Sequence, residues 1–181
     1  LHPTVRQFSQ DQLDLLEDEI SVTSPVRKYI DFYSQQLQKF GGYEWNIGQY
    51  FKLVPYEFEV INAINRAYRL WISSRDVPGG QFFRTAAINM TFNISWYLSW
   101  RGYWDLRIQL CRQITDELEK IELLEHSYNY FSNIAGNLYI DQGWIHLRRG
   151  QYKKSSFCVT QAKSLMALTD AKYATELEAQ L

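Results

Sequence analysis

At 181 residues, with 46% hydrophobic and 16% aromatic content, the chain can bury a sizeable core and carries too much ring surface to stay disordered. Its net charge of -1 gives no global pull towards nucleic acid or an acidic membrane, so neither is expected as a partner. With 4 Pro and 9 Gly, most of the Gly between periodic segments, the composition points to helices throughout. Cys111 and Cys158 each fall inside an apolar helical stretch and form no spaced pair, which implies reduced thiols in a cytoplasmic protein. No apolar run reaches the roughly 20 residues that cross a bilayer, and LHPTVRQ does not read as a signal peptide. The first residue is Leu, and the chain is read as a fragment of something longer.

In chain order, Val5, Phe8, Leu13, Leu15 and Leu16 with Pro3 in a first turn predict a helix from residue 3 to about residue 20. Ser24-Pro25 supplies a cap and a first-turn proline for a second helix, whose apolar side is Val26, Tyr29, Ile30, Tyr33 and Leu37 and which Gly41-Gly42 ends. Residues 43–53 are aromatic without a clear period and predict a connector with one helical turn. From Pro55, the spacing of Phe58, Ile61, Ile64, Tyr68 and Trp71 predicts a third helix, closed by Val77-Pro78-Gly79-Gly80. A fourth, about 82–100, carries Phe83, Ala87, Met90, Ile94 and Tyr97 on one side and Ile88, Phe92 and Trp96 on another, which implies burial between neighbours. Gly102 turns the chain into a fifth helix with one stripe, Trp104, Ile108, Cys111, Ile114, Leu118 and Ile121. Helices at 134–149 and 152–168 follow, and residues 171–181 read as the start of another.

Two of these turns repeat. SWYLSWRGYWDLRIQLCRQ and GWIHLRRGQYKKSSFCVTQ both run aromatic-rich helix, Arg-Gly or Arg-Arg-Gly, one residue, an aromatic and a helix, with Gly102 and Gly150 in the same place 48 residues apart. In the second copy Tyr139, Gly143, Gly150, Tyr152, Ser155 and Ala162 resemble the signature of a tetratricopeptide repeat, with small residues where helices cross closely. The period exceeds the ideal of about 34 residues, which implies a longer second helix and link. His146 and Val159 depart from the pattern. In the first copy Ser95 is the small residue, Trp104 matches Tyr152, and Arg107 stands where a small side chain is expected, so the packing there should be looser or altered.

A further resemblance lies at the amino end. LHPTVRQFSQDQL resembles the closing helix of the winged-helix module in NB-ARC-type signalling ATPases of the STAND class, VRKYIDFYSQQL their next helix, and YEFEVINAINRAYRLW their Glu-x-x-Asn helix, with Glu59 and Asn62 as the pair. WYLSWRGYWDLRIQLCRQ then resembles the first repeat of their sensor region. The resemblance implies that His2 contacts the nucleotide diphosphate of a full-length parent, where ADP or ATP would bind. It also implies possible oligomerisation through that ATPase. This chain has no Gly-x-x-x-x-Gly-Lys-Ser/Thr loop, so no cofactor is expected in the fragment itself.

These readings define the expected fold as all-α, with antiparallel helix pairs stacked as a tetratricopeptide-like right-handed superhelix, an α-solenoid. Residues 1–22 would close a winged-helix module or form a linker helix, 23–80 a helical linker, and 81–181 the repeats, with pairs at about 82–121 and 134–168 and a further helix from 171. Gly102, Trp104, Tyr139, Gly143, Gly150, Tyr152, Ser155 and Ala162 are the expected packing residues. Asn137, Asp141 and Arg148 share one narrow polar face and are the expected surface for a protein or peptide partner. No nucleophile elbow marks any Ser, Cys or Asp, so catalysis in the fragment is not expected. His126 and His146 lack any His-x-x-x-His or Cys-x-x-Cys spacing, so no metal is expected. Arg148, Arg149, Lys153 and Lys154 read as a solvated basic run. The alternative to an ATPase sensor segment is a stand-alone tetratricopeptide-like adaptor that binds a peptide.

Overall fold

The structure, a computed structural model, describes residues 21, 23–42, 47–75, 77, 79–122, 130–165, 175 and 177–181. Among them the fold is all-helical: α1 (Pro25–Phe40), α2 (Ile47–Tyr50), a 3-10 turn (Val54–Tyr56), α3 (Glu57–Ser73), α4 (Gly80–Trp100), α5 (Trp104–Glu122), α6 (Tyr130–Arg148) and α7 (Tyr152–Leu165). The helix expected over residues 3–20, and with it His2, lies outside the described residues, as does His126. No described helix is long and apolar enough to cross a membrane.

The chain packs as two units. One comprises residues 1–40 and 52–90, the other residues 41–51 and 91–181, so the division falls inside α4, between Met90 and Thr91.

In the first unit α1 starts where the sequence predicts. Ser24 Oγ accepts the backbone N–H of Arg27 at 3.0 Å, and the fixed φ of Pro25 suits the first turn. Ile30 and Leu37 are the buried rungs of α1, and α1 packs on α3. Glu57 and Glu59 in the first turn of α3 complement its dipole. The buried face of α3 differs from the expected stripe. Val60, Ala63, Ile64, Ala67, Leu70 and Trp71 are buried, while Phe58 is 72% exposed. The alanines account for the rotation: they let α3 lie close to its neighbours, and the large ring of Phe58 stands outside the crossing. Arg27 lays its guanidinium over Phe82, 4.2 Å from the ring centroid.

In the second unit the expected connector contains the single helical turn α2. Tyr50 of that turn is fully buried and meets Tyr97 edge-on and Trp100 at a tilt, with centroids 5.9 and 6.0 Å apart. The expected stripe of α4 is buried throughout, with Phe83, Ala87 and Met90 in the first unit and Ile94 and Tyr97 in the second. Helix α7 packs extensively on α6, and α6 packs on α5. Between α6 and α7 lies a core of Tyr139, Ile140, Cys158, Val159 and Ala162, joined by Leu177 from beyond α7. The residues described beyond α7 include helical ones at Thr175, Leu177 and Glu178, and Lys163 pairs with Glu178.

Gly80, expected only to break a helix, opens α4 and sits hard against the end of α3. A Cβ there would lie 2.0 Å from the backbone O and 2.8 Å from Oγ of Ser74. Ser74 is itself fixed, its hydroxyl and its N–H both bonded to the carbonyl of Leu70. Gly80→Ala should therefore lower stability by about 1–3 kcal/mol, because the clash outweighs the better helix propensity of Ala. A urea midpoint that stays put or rises would show that the chain does not pass so close.

Candidate functional site

The two repeated turns have the same backbone hydrogen bonds at a constant offset of 48 residues. Gly102 N–H reaches the carbonyl of Ser99 and Tyr103 N–H that of Leu98; Gly150 N–H reaches Leu147 and Gln151 N–H reaches His146. This is the six-to-one and five-to-two pattern that ends a helix on a left-handed residue. Gly102 and Gly150 have φ of +77° and +68°, and a Cβ at either would meet open space. They were expected to pack helices together. They cap them instead, and conformation rather than proximity requires glycine at both.

Where each hairpin crosses, the same pair of positions carries a hydrogen bond. In the second hairpin Ser155 Oγ donates to the carbonyl of Gly143 at 2.9 Å. In the first, Arg107 Nε donates to Ser95 Oγ at 2.7 Å. Arg107 fills the slot of Ser155, so the altered packing expected there takes a definite form. Its Nη2 pairs with Oδ1 of Asp141, and Ser95 Oγ donates to Oδ2 of the same carboxylate. The three groups close a ring joining α4, α5 and α6, and all are at most 4% exposed. Burial pushes the Asp141 carboxyl up from the ordinary carboxylate range, while Arg107 and the Ser95 hydroxyl pull it back down.

This overturns one expected site residue. Asp141 is 1% exposed and committed to Arg107 and Ser95, so it is not part of a partner surface. Asn137 is half-buried and turns its amide back to the carbonyl of Asn133 at 3.0 Å. Arg148 is exposed, with its guanidinium over Trp104 at 5.9 Å. Arg149 shares that ring and pairs with Asp105 at 2.7 Å, so this part of the basic run clasps the second turn to the start of α5. Of the other packing residues, Tyr139, Gly143, Ser155 and Ala162 are buried and Trp104 is half-buried, but Tyr152 is 59% exposed. Tyr152 is the first residue of its helix, outside the crossing that Ser155, Cys158 and Ala162 make.

On the surface of this unit α5, α6 and α7 form a cavity of about 340 Å³. Tyr139 and Phe157 meet edge-on in it, with centroids 6.5 Å apart, and Phe157 is 56% exposed. Asp116 and Glu119 line it from α5, where Arg112 also contributes, and Lys153 and Lys154 line it from α7. The Tyr139 hydroxyl donates to Glu119, and burial together with that carboxylate pushes its phenol well up. His146 lies at the base, 5% exposed, with Nδ1 2.7 Å from Oε1 of Gln151. Burial pulls the imidazole below its ordinary range, Gln151 opposes this, and Lys154, Arg112 and Arg149 add to it. Cys158, also in the lining, is raised to about 11 by burial, and Cys111 beneath to about 12, so both thiols are poor nucleophiles. Both cysteines are free.

The cavity sets aromatic surface, Tyr139 and Phe157, beside cationic and acidic side chains. Sequence reasoning missed it. The available signal was Phe157, a large ring spaced i+3 and i+4 from Lys154 and Lys153 on the polar side of a short helix. Among the described residues no group of three or more His, Cys, Asp or Glu gathers as a metal site would require. No protein family matches this chain, and no curated protein and no solved structure does either.

Asp141→Ala should destabilise the protein by about 3–5 kcal/mol by stranding a buried guanidinium, and Arg107→Met with Asp141→Leu should cost less than that single change. Chemical denaturation of the three proteins checks both values; equal losses would mean that the ring carries no coupling. For His146 the folded pKa lies below the unfolded one, so its contribution is present above the unfolded value of about 6.5 and is lost as pH falls from there towards the folded value. The melting temperature should drop across that window, and less steeply in His146→Gln. Identical pH slopes for the two proteins would remove the effect from His146.

Proposed function

We propose that this chain is a non-catalytic helical-repeat segment that binds a protein or peptide partner, and that it follows the nucleotide-binding core of a STAND-type signalling ATPase as its sensor arm. The observation that carries the binding reading is the cavity of α5, α6 and α7, with Phe157 open to a partner between Lys153 and Lys154 on one edge and Asp116 and Glu119 on the other. The hairpins with identical caps 48 residues apart support tetratricopeptide-like pairs stacked as a right-handed superhelix, which would extend such surfaces along an array.

The ATPase reading is supported by the order of the amino-terminal resemblances. VRKYIDFYSQQL falls within α1, and YEFEVINAINRAYRLW runs from Tyr56 through most of α3. In this mechanism a partner binds the repeats more tightly in one state of the ATPase than in the other, and that difference in affinity moves the switch between closed and open forms. His2 would contact ADP in the full-length parent, oligomerisation would run through the ATPase, and the protein would act in the cytoplasm.

Nucleotide titration of the full-length gene product tests it. ADP affinity should fall by about tenfold or more in His2→Ala, a loss of about 1.4 kcal/mol or more, and stay unchanged in Phe157→Ala, which should instead weaken partner binding. A gene product without a phosphate-binding loop would sink the ATPase reading and leave a stand-alone adaptor. Partner binding indifferent to Phe157→Ala would sink the cavity as its site.

A further inference from the structure

The cavity of α5, α6 and α7 carries charge of opposite sign towards its two ends. On α5 the lining residues Arg112, Asp116 and Glu119 follow at i, i+4 and i+7, one stripe that starts with a base and ends with acids. On α6 His146 and Tyr139 line it at the same spacing, and on α7 Lys153 and Lys154 lie one turn before Phe157. The three stripes share one direction. His146, lowered first by burial, also feels the positive charge of Lys154, Arg112 and Arg149. Tyr139, raised first by burial, bonds Glu119, feels the negative charge of Asp116 and meets Phe157 edge-on.

The cationic end is built against its own helix. Lys153 and Lys154 stand in the first turn of α7, which holds no acidic residue, so their charges add to the positive end of the helix dipole where a carboxylate would be favourable. Arg112, Lys153, Lys154 and Asp116 are all exposed, and among the described residues none of their side chains is engaged in an ion pair or a hydrogen bond. A segment with charge of one sign would be attracted at one end of the cavity and repelled at the other, whereas a segment with both signs in the right order gains at each. At about 1.5 Å per residue, Arg112 and Glu119 are about 10 Å apart along α5. That is the reach of about three residues of extended chain.

On the basis that this cavity is the partner's site, we propose that it takes an extended peptide segment whose acidic, apolar and basic side chains follow in that order along the groove. The acid meets Arg112, Lys153 and Lys154, the apolar group lies against Phe157 and Tyr139, and the base meets Asp116 and Glu119. The acid and the base are about three residues apart. Phe157 supplies contact area, and the charges at the two ends decide which segment is accepted and which way it lies.

Four capped peptides test this: Ser-Glu-Phe-Ser-Lys-Ser, its Glu-to-Gln form, its Lys-to-Gln form and the form with both changes. Each is titrated into the protein and followed by calorimetry and by amide shifts of α5 and α7. The doubly charged peptide should bind with Kd below about 1 mM and about tenfold more tightly than the neutral one, each charge contributing about threefold. Lys154→Gln should weaken only the peptides that carry Glu, and Asp116→Asn only those that carry Lys, by about threefold each. Phe157→Ala should weaken all four. Equal binding of the four peptides, lost in Phe157→Ala, overturns the charge order and leaves the cavity as a partner site. So does weakening by Lys154→Gln that is the same with and without Glu. No saturation by any of the four up to about 10 mM removes the cavity as a peptide site and this proposal with it.

Discussion

The buried ring of Arg107, Ser95 and Asp141 sets the terms for the rest of the second unit. A guanidinium and a carboxylate have both been taken out of water, and their mutual attraction offsets that desolvation only if the remaining donors and acceptors are satisfied. Ser95 meets this need, accepting from Nε of Arg107 and donating to Asp141. Each member sits on a different helix, so α4, α5 and α6 can close the ring in one register only. A slip of any helix by one residue would strand a charge. The buried apolar residues of the same helices, Leu98, Leu110, Cys111, Ile114 and Leu138, would tolerate several arrangements; the ring selects one.

The second hairpin solves the same geometric problem without charge. Gly143 lets α7 come close enough for Ser155 to donate to the backbone of α6, and a Cβ on Gly143 would lie 3.3 Å from that of Cys158 and 2.6 Å from Leu177. Close approach by small residues and a filled crossing by Arg107 are two uses of one repeat position. The caps remain identical because they depend on backbone conformation alone, whereas the crossing depends on what the neighbouring helix presents. With Arg107, Ser95 and Asp141 engaged in this way, Phe157, Lys153 and Lys154 on the outer side of α7 stay exposed.

Much of the helical fold was legible in the sequence because periodicity and capping act locally. Ser24-Pro25, the α4 stripe and the turns at Gly102 and Gly150 all emerge as read. The buried face of α3 does not follow its large rings, because close helix packing favours Ala63 and Ala67 over Phe58. The cavity was not legible. It needs side chains from three helices, and Phe157 beside Tyr139 leaves no periodic trace.

In the sequence alone Asp141 reads as a solvent-facing residue for a related reason. Helix α6 is apolar over most of its circumference, so a lone acid on its narrow polar strip looks like a solvent-facing residue. Yet Asp141 is the sole carboxylate in α6, and the preceding helix carries an arginine in a slot meant for a small residue. Each oddity is costly by itself: a buried arginine without an acid, or an acid on a helix that is buried on two sides. Taken together they cancel. In a helical repeat, a charge that violates the pattern in one unit is therefore grounds for seeking its opposite on the next helix, since a partner there converts two violations into one satisfied contact.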